Sequence, residues 1–371
     1  MKIKKKFDFW ILMTVLILLS LGIVMVFSAS GPTAQNSKAA NFDVYFYLKS
    51  QLKFALIGLA GMLVIMNIDY KILHKLAWPI FGVAILLMIL VLVPGIGVEI
   101  KGARRWIIIA GINFQPSEVA KFSLILILAH LLSLKKDSVK YFLKGFVPYL
   151  GFIGIFAVLL YLEPHMSGLI VLSLTGCIII YAAGAKIKHF IILASIALPG
   201  LFVMAFSADY RSTRILSFLD PFTDPQGNNW QIVNSLYAIG SGGLFGRGLG
   251  QSLQKFLYIP EPQNDFILAV VAEELGFIGV LTIITLFAIL FWRGIKVAIK
   301  APDMFGSLLV IGIISVIAIQ VIINIAVDIS LIPVTGMPLP FFSAGGTSLV
   351  VLLCEIGVVL NVSAYSNYER I

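Results

Sequence analysis

Apolar stretches about as long as a bilayer is thick recur along this chain from Phe9 to Leu360, separated by short polar joints. A helix needs about 20 mostly apolar residues to cross the hydrocarbon core. Ten stretches approach that length: roughly 9–29, 50–68, 73–94, 116–134, 142–162, 166–184, 188–207, 266–292, 305–330 and 343–363. They are continuously apolar and lack the in-out alternation of a lipid-facing barrel strand, so helices that satisfy their own backbone are the expected spanning element. The pattern predicts an all-α, polytopic integral membrane protein forming a single domain over residues 1–371. Its one long joint, about 208–265, falls between the seventh and eighth helices.

Composition agrees: 60% of the 371 residues are hydrophobic and 12% charged, against roughly 45–50% apolar in soluble domains, which excludes a water-soluble fold. Lys2 to Lys6, the following apolar stretch and Ser28-Ala29-Ser30 imitate a cleavable signal peptide. The stretch from Phe9 to Phe27 exceeds the usual 7–15 residues of a signal core, so it reads as a retained first span. Cys177 and Cys354 lie inside apolar runs and behave as small hydrophobes. The formal charge of +9 is scattered over joints without a contiguous basic face, so no nucleic-acid partner is expected.

Most of that charge is topological. Lys and Arg near span ends stay on the cytoplasmic side, and alternate joints are basic: Lys2 to Lys6, Lys71 and Lys75, Lys135 to Lys144, Lys186 and Lys188, Arg293 to Lys300, and Arg370. Both termini are then cytoplasmic. The exceptions lie in joints assigned to the outside: Lys101, Arg104 and Arg105 after the third span, and Arg211, Arg214, Arg247 and Lys255 after the seventh. Arg kept outside suits a phosphate, which it grips in bidentate fashion; pairing with Glu99 or Asp220, or snorkelling, is the alternative.

Several acids sit where they cost energy. Asp265 directly precedes the apolar run 266–271 at the outer membrane edge, where a partly desolvated carboxylate can act as a general base; an ordinary helix N-cap is the plainer use. Glu273 and Glu274 fall inside the eighth span, which demands an ion pair or a wet cavity. Pro116-Ser117-Glu118 opens the fourth span, and Lys121 follows Glu118 by three residues on one face, predicting a membrane-embedded ion pair. Gln320, Asn324 and Asp328 form a polar stripe on the ninth span, most simply bonding helix to helix. The long outer joint has turns at Asp220-Pro221 and Asp224 to Gly227, an amphipathic helix from Trp230 to Ile239, and a Gly-rich run to Gly250. Together these describe a cavity open to the outer leaflet, fit for a lipid-tailed substrate with an anionic sugar head group. A transporter path is the competing use.

Four segments, in order, resemble the SEDS family of shape, elongation, division and sporulation proteins, which includes FtsW, RodA and SpoVE. They are GARRWI with FQPSEVAK (Gly102 to Lys121), EPHMSG (Glu163 to Gly168), the run from Asn229 to Gly279, and PVTGMPLPFFSAGGTSL (Pro333 to Leu349). The resemblance implies an inverting peptidoglycan glycosyltransferase that polymerises lipid II, releases undecaprenyl diphosphate and works with a class B penicillin-binding protein and other divisome or elongasome membrane proteins. A lipid II flippase and a RodA-type elongation polymerase are the alternatives. The family's essential aspartate maps onto Asp265, as catalytic base, and its paired Glu and Lys onto Glu118 and Lys121, which shape the cavity. Arg104, Arg105 and Arg247 are expected on the diphosphate, with Trp106, Lys255, Glu274, Ser343 and Thr347 as further substrate contacts. No cofactor is implied with certainty; outer carboxylates could hold Mg2+ or Mn2+ against the diphosphate, with at most weak dependence expected. Gln263-Asn264 stands where many relatives have His-Thr, and Ala344 where they have Tyr. Gly248 to Lys255 looks more like division or sporulation members than the elongation type.

Overall fold

The structure is a computed structural model that describes residues 7–366, other than 101, 110, 136–137, 207–217, 219–220, 223–226, 228 and 257. Lys2 to Lys6, Lys101, Lys136, Arg211, Arg214, Asp220, Asp224 and Arg370 therefore lie outside the described residues. The chain runs α1 (Phe9–Gln35), α2 (Phe46–Ile65), α3 (Lys71–Leu92), a small sheet of β1 (Gly97–Ile100), β2 (Ala103–Ile109) and β3 (Ile112–Phe114), then α4 (Pro116–Leu134), α5 (Val147–Leu162), α6 (Met166–Ala182) and α7 (Ile187–Phe206). After the long joint come α8 (Trp230–Gly242), α9 (Ile267–Ile299), α10 (Met304–Asp328) and α11 (Gly346–Ser366). Eight described helices are long and apolar enough to cross a membrane. Met166–Ala182 and Ile187–Ile196 are shorter apolar helices at the sixth and seventh predicted spans.

Local chemistry sets several helix starts. Asp8 caps α1 by accepting from Ile11 N at 3.1 Å, Asp303 caps α10 by accepting from Gly306 N at 2.7 Å, and Pro116 occupies the first turn of α4, where a missing N–H costs nothing. α4, α10 and α11 are the most enclosed spans and form the centre, whereas α2 and the most apolar stretch of α9 bury little of their surface. Glycines let backbones close up where lipid offers no hydrophobic drive for association. A Cβ at Gly22 of α1 would stand 2.1 Å from Phe341 O, and one at Gly58 of α2 would stand 2.5 Å from a methyl of Leu353 on α11.

Both ends of the described chain lie on one face, because Asp8 N donates to Ser363 Oγ at 3.0 Å and Arg293 pairs with Asp8 at 2.5 Å. On the same face Tyr70 Oη donates to Asp303 at 2.6 Å and Asn361 bridges Met66 O and Tyr70 N. The opposite face carries Asp265 and four of the other connections, 36–45, 93–115, 163–165 and 329–345.

Two features depart from the sequence pattern. The joint after α3 folds as an antiparallel three-stranded sheet, β1-β2-β3, in an otherwise helical protein. The predicted eighth span is broken: Gly276 has φ 69° and ψ −169°, separating a short buried helix, 267–275, from the spanning part beyond it. A Cβ there would stand 2.3 Å from Gly246 N, so glycine serves both the left-handed φ and the close approach of the 243–248 loop.

Candidate active site

The short helix 267–275 organises the site from both ends. At its start the N-cap position is Phe266, which makes no side-chain cap, and Asp265 stands one residue before it. The backbone of Asp265 is pinned: Asn324 Nδ2 of α10 donates to Asp265 O at 2.8 Å and to Met337 O at 2.9 Å. Of the Gln320–Asn324–Asp328 stripe, expected to bond helix to helix, the Asn324 amide ties two loops and Gln320 Nε2 meets Met337 Sδ at 3.9 Å, while Asp328 O accepts from Ser235 Oγ of α8 at 2.9 Å, a bond between helices.

The proline-rich segment 333–345 is strapped against that pinned acid. Ser343 Oγ donates to Asn264 O at 2.5 Å and accepts from Leu339 N at 2.7 Å, Ala344 N donates to Gln263 O at 2.8 Å, and Ser167 Oγ donates to Thr335 O. Gly336, with φ 68°, lets the strap approach, for a Cβ there would lie 3.4 Å from Asp265 Oδ2. Glu261 and Phe341 hold positive φ values of 50° and 68° without being glycine, local strain shortly before Gln263 and within the strap.

Between strap, α4, β2 and the α5–α6 turn lies a cavity of about 200 Å³. Asp265, Glu118, Lys121, Arg105, Trp106 and Ser343 all line it. Lys121 Nζ pairs with Glu118 at 2.9 Å as the three-residue spacing foresaw, with both side chains mostly buried. A narrower hollow continues past Glu118 and Lys121 to Gln320 and the buried Glu355 of α11. Glu355 was missed at the sequence level; a lone acid inside the last apolar run was the available signal.

The other expected contacts lie elsewhere. Successive strand residues face opposite ways, so Arg105 turns into the cavity, donating to Glu163 O and Pro164 O, while Arg104 pairs with exposed Glu99 at 3.3 Å. Thr347 donates to Asn113 O at 3.3 Å, outside the cavity lining. Arg247, Lys255 and Glu274 belong to a separate cluster at the far end of the short helix. There Glu273 accepts from Ser252 Oγ at 2.6 Å, Leu253 N at 3.0 Å and Gln254 N at 3.2 Å, with Arg247 3.7 Å away. Glu274 accepts from Ser28 Oγ of α1 at 2.7 Å, Gly250 N at 3.0 Å and Lys255 Nζ at 2.8 Å.

The α5–α6 turn adds two groups that the sequence reading quoted but did not assign. Burial pushes the Glu163 carboxyl up from about 4.5 to about 8 against the opposing pull of Arg105, so it is protonated at neutral pH. Burial, with Arg105 and Lys121 nearby, drives the His165 imidazole down to about 3, so it lines the cavity as a neutral ring. Ser117 Oγ and His165 Nδ1 are buried without a hydrogen-bond partner among the described residues. The arrangement brings the Asp265 carboxylate, two cations and spare polar atoms to one cavity.

A family model described as cell cycle protein and named for FtsW, RodA and SpoVE matches residues 9–368. Stage V sporulation protein E of Bacillus subtilis (strain 168) is 46% identical over 361 residues, 97% of this chain and 98% of its own length. A probable peptidoglycan glycosyltransferase FtsW of Geobacter sp. (strain M18) is 44% identical, covering 96% of each chain. Among solved structures, a chain from a peptidoglycan synthase complex, studied for the coordination of polymerization and crosslinking, superposes with a TM-score of 0.80 at 27% identity, over 98% of this chain and 99% of that one. The rod shape determining protein RodA of Thermus thermophilus gives 0.69 at 28% identity, over 96% of both chains.

Proposed function

The chain belongs to the cell cycle protein family of FtsW, RodA and SpoVE, and from that premise we propose that it is a peptidoglycan glycosyltransferase that polymerises lipid II at Asp265. The observation that carries the reading is the placement of that acid: its backbone fixed by Asn324, its carboxylate on the wall of a cavity that also presents Lys121 and Arg105. The reaction belongs on the external face of the cytoplasmic membrane, with both termini inside, a reading that the distribution of Lys and Arg supports.

The chemistry is an inverting displacement. Asp265 takes the proton of an acceptor sugar hydroxyl. The freed oxygen forms a bond to the donor anomeric carbon, the bond from that carbon to the diphosphate oxygen breaks, and the electron pair leaves on undecaprenyl diphosphate. An α-linked donor thereby becomes a β-linked glycan, and Asp265 returns its proton to solvent. Lys121 and Arg105 offset the charge growing on the leaving diphosphate, worth most in a site that excludes water. Glu118 holds Lys121 in place at 2.9 Å.

A divalent ion is tested by the donor set. Asp265 and Glu118 are the carboxylates on the cavity wall, and Glu118 is engaged by Lys121. Mg2+ and Mn2+ prefer octahedral oxygen shells, which these two carboxylates do not complete alone; Asp265 would share such an ion with the substrate diphosphate and water, where it would supply further charge against the leaving group, and no step is routed through it.

Relatives named for sporulation and division support a use of this chain in one of those processes. Its partner is proposed to be a class B penicillin-binding transpeptidase, by likeness to the chain of the peptidoglycan synthase complex, with other divisome or elongasome membrane proteins around the pair. The test is purified protein, with and without such a transpeptidase, supplied with lipid II. Glycan strands of many disaccharides are expected; lipid II left unpolymerised by the pair would overturn the reading.

A further inference from the structure

A polymerase that joins two lipid-linked sugars must hold two head groups at one acid, and the cavity at Asp265 is too small for both. Its volume is about 200 Å³, below the roughly 300–1,000 Å³ of sites for single drug-sized ligands. A second hollow of about 550 Å³ opens beside it, between α2 and the β2–β3 hairpin. The two share Trp106, Ala344 and Gly345 as a common wall, so a ligand in the second reaches the first across one indole ring and a stretch of strap backbone.

The chemistry of the second hollow is that of an anionic, sugar-bearing head group. Lys49 and Lys53 line it from one face of α2, one turn apart. Lys49 is held by Asp43 at 2.7 Å in an exposed pair, whereas Lys53 makes no ion pair among the described residues. Lys53 lies seven positions into α2, about 10 Å along the helix from its start at 1.5 Å per residue, and its side chain is exposed. An exposed ammonium on the wall of the hollow, near the outer end of a span, is placed to meet the diphosphate of a lipid whose tail stays in the bilayer. Tyr47, Phe54 and Trp106 add aromatic surface for sugar rings.

We propose that this hollow binds the diphosphate-sugar head group of the second lipid-linked reactant, with Lys53 on the diphosphate and Trp106 standing between the two head groups. The assignment rests on the polymerase reading and adds to it a divided site, in which the two reactants meet over the Trp106 wall.

The experiment counts bound substrate. Asp265→Asn protein in lipid nanodiscs is titrated with lipid II and bound molecules are counted by native mass spectrometry. Two per chain are expected, with Lys53→Glu reducing the count to one and Lys53→Arg restoring two. In otherwise unmodified protein, Lys53→Ala should raise the lipid II concentration for half-maximal rate about tenfold, the cost of one charge-assisted hydrogen bond, while kcat at saturation stays within about threefold. Two bound molecules in Lys53→Glu protein, with an unmoved half-saturation in Lys53→Ala protein, would overturn the second site and leave the polymerase standing. No glycan from unmodified protein would overturn both.

Discussion

The short helix 267–275 has a charged cluster at each end, and the two are built on opposite terms. At the Gly276 end, Glu273 and Glu274 are fully buried, and each accepts hydrogen bonds from the 250–254 backbone or from neighbouring side chains and faces a cation. At the Asp265 end, the cavity wall carries the Glu118–Lys121 pair together with Ser117 Oγ and His165 Nδ1, which are buried and unpartnered among the described residues. Buried polar groups are nearly always satisfied in a finished fold, and each exception asks for an explanation. The satisfied cluster holds the long loop and α1 against the helix; the under-satisfied one leaves polar atoms for a substrate. A rigid helix pinned at one end thus presents its acid at the other.

Breaking the satisfied cluster should give the largest effect on stability. Glu274→Gln or Lys255→Met each strands a buried partner and should cost about 3–5 kcal/mol. The double variant Glu274→Gln with Lys255→Met should cost less than the sum, since neither charge is then left alone; thermal melting of the four proteins reads the coupling. Additive costs would show that the pair is not the clamp.

Gly276→Ala tests the break between clamp and span. An alanine must adopt positive φ and would meet Gly246 N at 2.3 Å, so a loss of about 2 kcal/mol or more is expected, with polymerisation falling as the helix shifts. An unchanged melting temperature would mean that the helix runs on without the break.

Glu163 sharpens the comparison from the other side, because it is a buried acid without a hydrogen-bond partner among the described residues. Its carboxyl is raised to about 8, above its value of about 4.5 in the unfolded chain. Its contribution is therefore complete below pH 4.5, shrinks as the unfolded chain alone loses the proton, and is gone once pH passes 8. Stability should fall with pH across that window by at most about 1.4 kcal/mol per unit. Glu163→Gln should flatten the profile in melting experiments between pH 5 and 8.5.

Arg104→Ala should do least. Its pair with Glu99 is exposed, and such pairs contribute about 0–1 kcal/mol. Polymerisation rates should match the unmodified protein, whereas Arg105→Ala, on the cavity side of the same strand, should lower them; equal losses would mean that the strand does not face the two arginines apart.

How much of this was legible depended on whether the signal was local. The spans followed from runs of apolar residues, and the Glu118–Lys121 pair from three-residue spacing on a helix. The acid before the apolar run 266–271 marked Asp265, and the structure puts Phe266 at the N-cap position and Asp265 on the cavity wall. Hydropathy could not register Gly276, because one residue with positive φ leaves an apolar run unbroken. That is why Glu273 and Glu274 read as members of a span and Lys255 and Glu274 as substrate contacts. The sheet at 97–114 was signalled by Lys101-Gly102 and Ala110-Gly111 around an isoleucine-rich stretch, yet a span-by-span reading treats joints as loops. The clamp and the Trp106 wall depend on segments far apart in sequence, for which one chain gives no local pattern.

The central claim is that Asp265 removes the proton on which polymerisation depends, while the clamp at the other end of the short helix serves the fold and not the chemistry. Purified Asp265→Asn protein, given lipid II beside unmodified protein of matching melting temperature, measures it directly. The account predicts that glycan synthesis falls by about 10²–10⁴, the range for a lost general base, with melting unchanged. Glycan made at near the unmodified rate would contradict it.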